Sequence, residues 1–232
     1  MDSVVIEYRF RLSDDTVEEF RVELDPVELN LLTAIPENPP SWTELGFHQC
    51  PNCSLETKNQ RYCPLALSIL DIVEHFDHVL SYDMIHLEVQ AEGRHISQQT
   101  SAQQGLSSLM GLLIAASGCP HTDFFKPMAR FHLPLARRDE TVYRAVSTYL
   151  LAQYFIQREG GEADFQLEGL KRIYDNIQLV NYSVAKRLRA ASEADSPVNA
   201  IVILDTYAKA VPFLIDDSLD YIRYLFDSFI KN

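Results

Sequence analysis

No charge-free apolar run in this chain approaches the roughly 18 residues that a membrane-spanning helix needs. The longest candidate, Leu106 to Ala116, is interrupted by Ser107, Ser108 and Gly111 and reads instead as a buried helix. Its small residues at 107, 111 and 115 would let a neighbouring element approach closely. Basic charge is scarce as well: 20 Lys and Arg stand against 33 Asp and Glu, for a net charge of −13. Phosphate affinity is built from concentrated positive charge, so nucleic acid is not an expected partner. The amino terminus lacks the basic and apolar regions of a secretory signal, and the expectation is a cytoplasmic protein with reduced thiols and no membrane association. Neither a Ser/His/Asp order, a G-x-S-x-G elbow, a phosphate-binding loop nor a dinucleotide fingerprint occurs, which leaves nucleophilic and nucleotide chemistry without positive support.

Cysteine is sparse too, with only 4 in the chain, yet three of these are directly followed by proline. They stand as Cys50-Pro51-Asn52-Cys53, Arg61-Tyr62-Cys63-Pro64 and Gly118-Cys119-Pro120-His121. A C-x2-C pair delivers two thiolates from one tight turn to the same tetrahedral ion, and further ligands can come from anywhere the fold brings them. Proline suits the first position of a helix, so Cys63 reads as a helix N-cap, where the dipole favours a thiolate. Cys50, Cys53, Cys63 and Cys119 are therefore the expected ligands of Zn2+. His121 and His132, in the loop after Cys119, are the substitutes for one thiolate in a Cys3His site. A buried thiol packed as a small hydrophobe is the ordinary alternative for Cys63 and Cys119. For Cys50 and Cys53 it fits less well, because Pro51-Asn52 makes a poor core segment. A thiol–disulfide enzyme or sensor using Cys50/Cys53 is the second functional reading. Its loop setting, after Pro36, Pro39, Pro40 and Gly46, is unlike the strand-to-helix context of a thioredoxin active site. Ligand type alone leaves an iron–sulfur or haem protein open as a third.

Residues 3 to 24 alternate apolar and charged around Ser13-Asp14-Asp15-Thr16, which predicts a β-hairpin. Asp25-Pro26 predicts the opening of a short helix over 27–32. From Pro36 to Cys63 the pattern dissolves, with Trp42 and Phe47 as expected anchors and little else to hold the segment unless a metal staples it. An amphipathic helix is expected from Pro64 to Leu80. Its polar face, with Asp71, Glu74, His75 and His78 inside an arc of about 100°, could bind an ion or move a proton but reads as a solvated surface. A second hairpin is expected around Ala91-Glu92-Gly93, followed by helices over 101–117, 140–158, 165–191, 197–210 and 216–231. Lys186-Arg187-Leu188-Arg189 reads as a solvated helix end.

The order F-H-Q-C-P-N-C, Y-C-P-L-A-L, S-G-C-P, F-H-L-P and then Glu140-Thr141-Val142-Tyr143-Arg144 resembles an uncharacterised bacterial family of unknown function, over most of the chain. The resemblance implies no activity and gives no residue a role. The expected fold is α+β: a small antiparallel sheet of two hairpins packed on a mainly helical C-terminal half, as one domain over 1–232, with 1–100 mixed and 101–232 helical. The expected function is a non-enzymatic, metal-binding one, with zinc as a structural or sensory centre. A protein partner or a second copy of the chain would complete the picture. A closed tetrathiolate leaves no open position for a catalytic water.

Overall fold

The computed structural model describes residues 2–217 and 219–231. Met1, where the reading of the amino terminus begins, and Ser218, inside the expected last helix, lie outside the described residues, as does Asn232. The fold is α+β. Strands β1 (Val4–Arg11) and β2 (Val17–Leu24) form the first hairpin, and β3 (Met84–Ala91) and β4 (Arg94–Ser101) form the second. They join through β1 and β3 into one antiparallel sheet of order β2-β1-β3-β4. Period-two alternation decides the faces. On β1, Ile6, Tyr8 and Phe10 point into the core while Glu7, Arg9 and Arg11 face solvent. The solvent face is laced by Arg9 with Glu19 and Glu88, and by Arg21 with Glu7. The second hairpin closes on Glu92 and Gly93, both at positive φ, as a two-residue turn matched to strand twist requires.

Helix α3 (Ala102–Ala115) leaves β4 without a linker and lies on the inner face of the sheet. Gly105 makes this approach possible, since a Cβ there would stand 2.8 Å from Ile85 Cδ1 and 3.1 Å from Phe10 Cε1. Across α3, at Gly111, passes α7 (Ser196–Asp216), which packs in turn on α6 (Glu168–Ala191). A second apolar cluster joins α5 (Arg138–Arg158) to α6 and α7 through Val142, Ala145, Tyr149, Leu170 and Val211.

Several expected elements differ, each for a local reason. Residues 27–32 form no helix. Asp25 Oδ1 accepts from Val27 N–H at 2.8 Å and Glu28 N–H at 2.5 Å, as an N-cap would. Leu29 then turns left-handed at φ 57°, and Leu31 bridges back to Leu24. The helix expected from Pro64 to Leu80 is two short ones, α1 (Pro64–Ser68) and α2 (Leu70–His75). The Ser68 hydroxyl donates to the Leu65 carbonyl at 2.8 Å, a competing local bond that disturbs helices. Phe76 turns down between Phe10 and Phe20. Asp71, Glu74, His75 and His78 are exposed as expected; Leu80 is exposed as well.

Helix α7 runs to Asp216, past the expected stop at Ala210 and through Pro212. The missing proline N–H frees the Ala208 carbonyl, and Gln178 Nε2 on α6 approaches it at 3.5 Å. By length and composition α7 could cross a membrane; the sequence criterion passed over it because Asp205 and Lys209 interrupt the run. Here it packs against α3 and α6. Beyond Leu219 the expected last helix is α8 (Asp220–Arg223), a 3-10 turn and α9 (Asp227–Ile230). A short α4 (Lys126–Arg130) lies in the expected loop before α5.

Candidate functional site

The four cysteines are free thiols brought together from three segments. In the 50–53 turn the Cys53 N–H donates to the Cys50 carbonyl at 3.0 Å, so one tight turn presents both side chains. Cys63 is the N-cap of α1 with Pro64 following, and its own N–H donates to Thr43 O at 2.8 Å. Cys119 opens a turn after α3, prepared by Gly118 at φ 80°, and its carbonyl accepts from Thr122 N–H at 2.9 Å.

Helix α6 supplies the floor. Asn176, Ser183 and Arg187 recur at seven- and four-residue intervals, one stripe of the helix, and all three face the cysteine loops. Asn52 Nδ2 donates to Asn176 O at 3.2 Å and to its Oδ1 at 3.0 Å, which seats the 50–53 turn on the helix. His121 Nε2 stands 2.6 Å from the Asn52 carbonyl, tying the Cys119 turn to the Cys50 turn. A carbonyl only accepts, so Nε2 carries the proton and a neutral His121 keeps its Nδ1 lone pair.

Arg187 is not solvated. It is 2% exposed, and its guanidinium donates to three carbonyls of the cysteine-bearing segment: Trp42 O at 2.7 Å, Glu44 O at 2.8 Å and Leu45 O at 3.0 Å. The first part of segment 36–63 is therefore held by an arginine fork, beside buried Trp42 and partly buried Phe47. A periodicity count over α6 would have found it, because Arg187 lies on the apolar stripe of Val180, Val184 and Leu188.

The electrostatics of the cluster are those of crowded, partly desolvated thiols. Burial pushes the Cys50 thiol up; a hydrogen bond from the Ser183 hydroxyl opposes this, the thiols of Cys63 and Cys53 add to it, and Arg187 pulls it back. Cys119 is pushed up to about 12, first by burial, against a hydrogen bond from the His121 N–H and with further upward pressure from Cys63, Cys50 and Cys53. Each of these two thiols thus senses all or most of the others.

A family model described as a domain of unknown function (DUF6901) matches residues 6–227. The chain belongs to this family. No curated protein and no solved structure matches it. Within the DUF6901 chain, no group of three or more His, Cys, Asp or Glu among the described residues is arranged so that it could hold a metal ion as it stands. His132 lies apart from the thiols: its Nε2 is 2.5 Å from the Tyr8 hydroxyl, which also contacts Ser108 Oγ at 2.8 Å. Burial, and then the Arg144 charge, lower the His132 pKa to about 3, so the DUF6901 chain keeps this imidazole neutral at ordinary pH.

Proposed function

We propose that the protein binds metal through Cys50, Cys53, Cys63 and Cys119, with Zn2+ as a structural or sensory centre. What supports this reading is that the four thiols, remote in sequence, are electrostatic neighbours. Crowded protonated thiols destabilise one another's anions, and a divalent cation converts that repulsion into ligation. A tetrathiolate around Zn2+ carries a net charge of about −2. The His121 backbone N–H and the Ser183 hydroxyl already donate toward these sulfurs, and the nearby Arg187 charge, whose guanidinium is spent on backbone carbonyls, would help offset it. Rotation of side chains between staggered wells is what loading requires, to bring sulfurs about 2.3 Å from the ion. His121, through Nδ1, is the substitute ligand within reach of the same turn.

The thiol–disulfide alternative at Cys50/Cys53 requires a thiol that ionises easily, whereas burial drives Cys50 the other way. Deprotonation by the metal itself has no such requirement, because binding expels the protons.

The test is anaerobic purification with metal analysis, followed by zinc titration of stripped protein in buffers of different ionisation enthalpy. About four protons released per zinc, with apparent affinity rising as pH rises, is the expected result. A strong chelator should lower the melting temperature of the wild type and leave Cys53→Ser nearly unchanged. Identical wild-type melting curves with and without chelator, in protein shown to release no metal, would sink the reading. A reversible two-electron thiol titration would then favour the redox alternative, and a coloured, iron-bearing preparation the iron–sulfur one.

A further inference from the structure

A mostly apolar cavity of about 240 Å³ lies between α3, α6 and α7, and α5 closes one end of it through Thr141 and Arg144. Helix α5 itself is apolar on two opposite faces. Val142, Ala145, Val146 and Tyr149 are buried in the cluster shared with α6 and α7. On the other side Tyr143, Leu150, Leu151, Tyr154 and Phe155 stand between 36% and 56% exposed. At 3.6 residues per turn these five fall within an arc of about 140°, with exposed Ser147 and Arg158 among them, so they form one stripe. The solvent side of a surface helix is normally polar, and a contiguous apolar surface there marks an interaction site. Phe226 stacks on Tyr143, ring centroids 6.4 Å apart, and prolongs the apolar surface at the N-terminal end of the stripe.

Charge and area both select the occupant. Two chains of net charge −13 repel one another, so self-association needs a surface poor in carboxylates. Between Glu140 and Glu159 there is no Asp or Glu. The two cations of that stretch are Arg144, spent on Met128 O and Phe131 O, and Arg158. Arg158 lies 5.8 Å from the centre of the Tyr154 ring and has no carboxylate partner among the described residues. Glu140 occupies the same stripe five turns earlier. Its Oε2 is spent on Arg137, at 2.8 Å from the N–H and 3.6 Å from Nε, and its Oε1 has no partner among the described residues. A stripe with an acid at one end and a base at the other complements its own copy when the two helices run antiparallel, which a two-fold axis across the helix provides. At about 200 Å² per full side chain, the five apolar residues leave roughly 450 Å² exposed per copy. That is more than half of the ~800 Å² each partner gives to a standard interface, before the polar flanks are counted. We propose that α5 is the seam of an antiparallel homodimer. With the axis midway between Ser147 and Leu151, Leu151 lies over the partner's Ser147, Tyr143 beside the partner's Phe155, and Arg158 pairs with the partner's Glu140.

Sedimentation equilibrium of the full chain is the test. With rising concentration the wild type should pass from 26.5 kDa to twice that mass, the dimer dominating at ~100 µM. Leu151→Glu sets two carboxylates at the seam and should weaken dimerisation at least about 100-fold. Leu151 is 56% exposed in the single chain, so the variant monomer should keep the wild-type circular dichroism. Arg158→Glu and Glu140→Arg should each weaken the homodimer about tenfold, because each sets like charges opposite one another at both ends. A mixture of these two variants restores both pairs, and should form a heterodimer about as tight as the wild type. Arg158→Glu alone keeps the register testable if Glu140→Arg, which alters the start of α5, folds poorly. A wild type that stays monomeric at ~100 µM leaves the stripe to a different partner and overturns the proposal. So does a dimer untouched by Leu151→Glu, one untouched by Arg158→Glu, or a mixture of folded variants with no preference for the heterodimer. Chelation leaves α5 untouched, so the result is independent of the thiol centre.

Discussion

Arg187 shows how much one buried charge can organise. Its fork satisfies the Trp42 and Leu45 carbonyls, which no backbone N–H reaches, and gives a second donor to the Glu44 carbonyl, which also accepts from the Phe47 N–H at 3.0 Å; a lysine, with a single point charge, cannot reproduce it. Arg187→Met is expected to destabilise the protein by roughly 3 kcal/mol, read from urea unfolding, because the carbonyls stay buried and lose their donor. Arg187→Lys should recover only part of that loss. His132 makes the complementary case of a group held neutral. Unfolded, it takes up a proton near 6.5; folded, only near about 3. Its contribution is therefore complete above the unfolded value and is lost as pH falls from 6.5 toward 3. Between pH 7 and 5 the wild type should lose up to about 2 kcal/mol on this account. His132→Gln should flatten that slope, and parallel slopes for the two proteins in urea titrations would refute the assignment.

At the scale of elements, two glycines on α3 separate propensity from packing. Alanine is the better helix former by about 1 kcal/mol. At Gly111 an added Cβ would meet Leu204 Cδ2 at an ordinary 3.5 Å, so Gly111→Ala should be neutral or stabilising by up to about 1 kcal/mol. At Gly105 the added atom would stand 2.8 Å from Ile85 on β3, and overpacking of that kind costs about 1–3 kcal/mol. Gly105→Ala is expected to be destabilising despite the propensity gain. Chemical denaturation of both variants checks the sign of each.

At the scale of the whole molecule, α6 is the shared element: one stripe faces the thiols and another the cavity. The cysteine-bearing segment is secured at its base by Arg187, by the Leu45 N–H to Arg61 O bond of 2.8 Å and by the Glu44–Tyr62 bridge. Between these ties, residues 46–60 depend on Phe47, packed against the core, and on the Cys50 turn with its bonds to Asn176 and His121. If zinc supports that turn, limited proteolysis of zinc-loaded protein should accelerate on chelation and cut within 46–60, leaving 36–45 protected. Cleavage unaffected by chelation in a zinc-loaded sample would show that protein contacts alone hold the turn.

Alternation and helical periodicity were enough to determine both hairpins, the buried α3 and the helical C-terminal half, because those patterns come from local geometry repeated along the chain. The proline that follows Cys63 likewise announced an N-cap from nearest neighbours alone. Tertiary structure decided what depends on partners distant in sequence. It broke the helix after Ser68, ended it at His75 where Phe76 packs against Phe10 under the sheet, carried α7 through Pro212 with Gln178 opposite the freed carbonyl, and turned Arg187 inward onto backbone that only the fold brings near. It also gathered Cys119 with the other three thiols and left a mostly apolar cavity of about 240 Å³ between α3, α6 and α7. Sequence spacing carries no distance between remote segments, and a cavity exists only where the packing of several elements stops short of filling space.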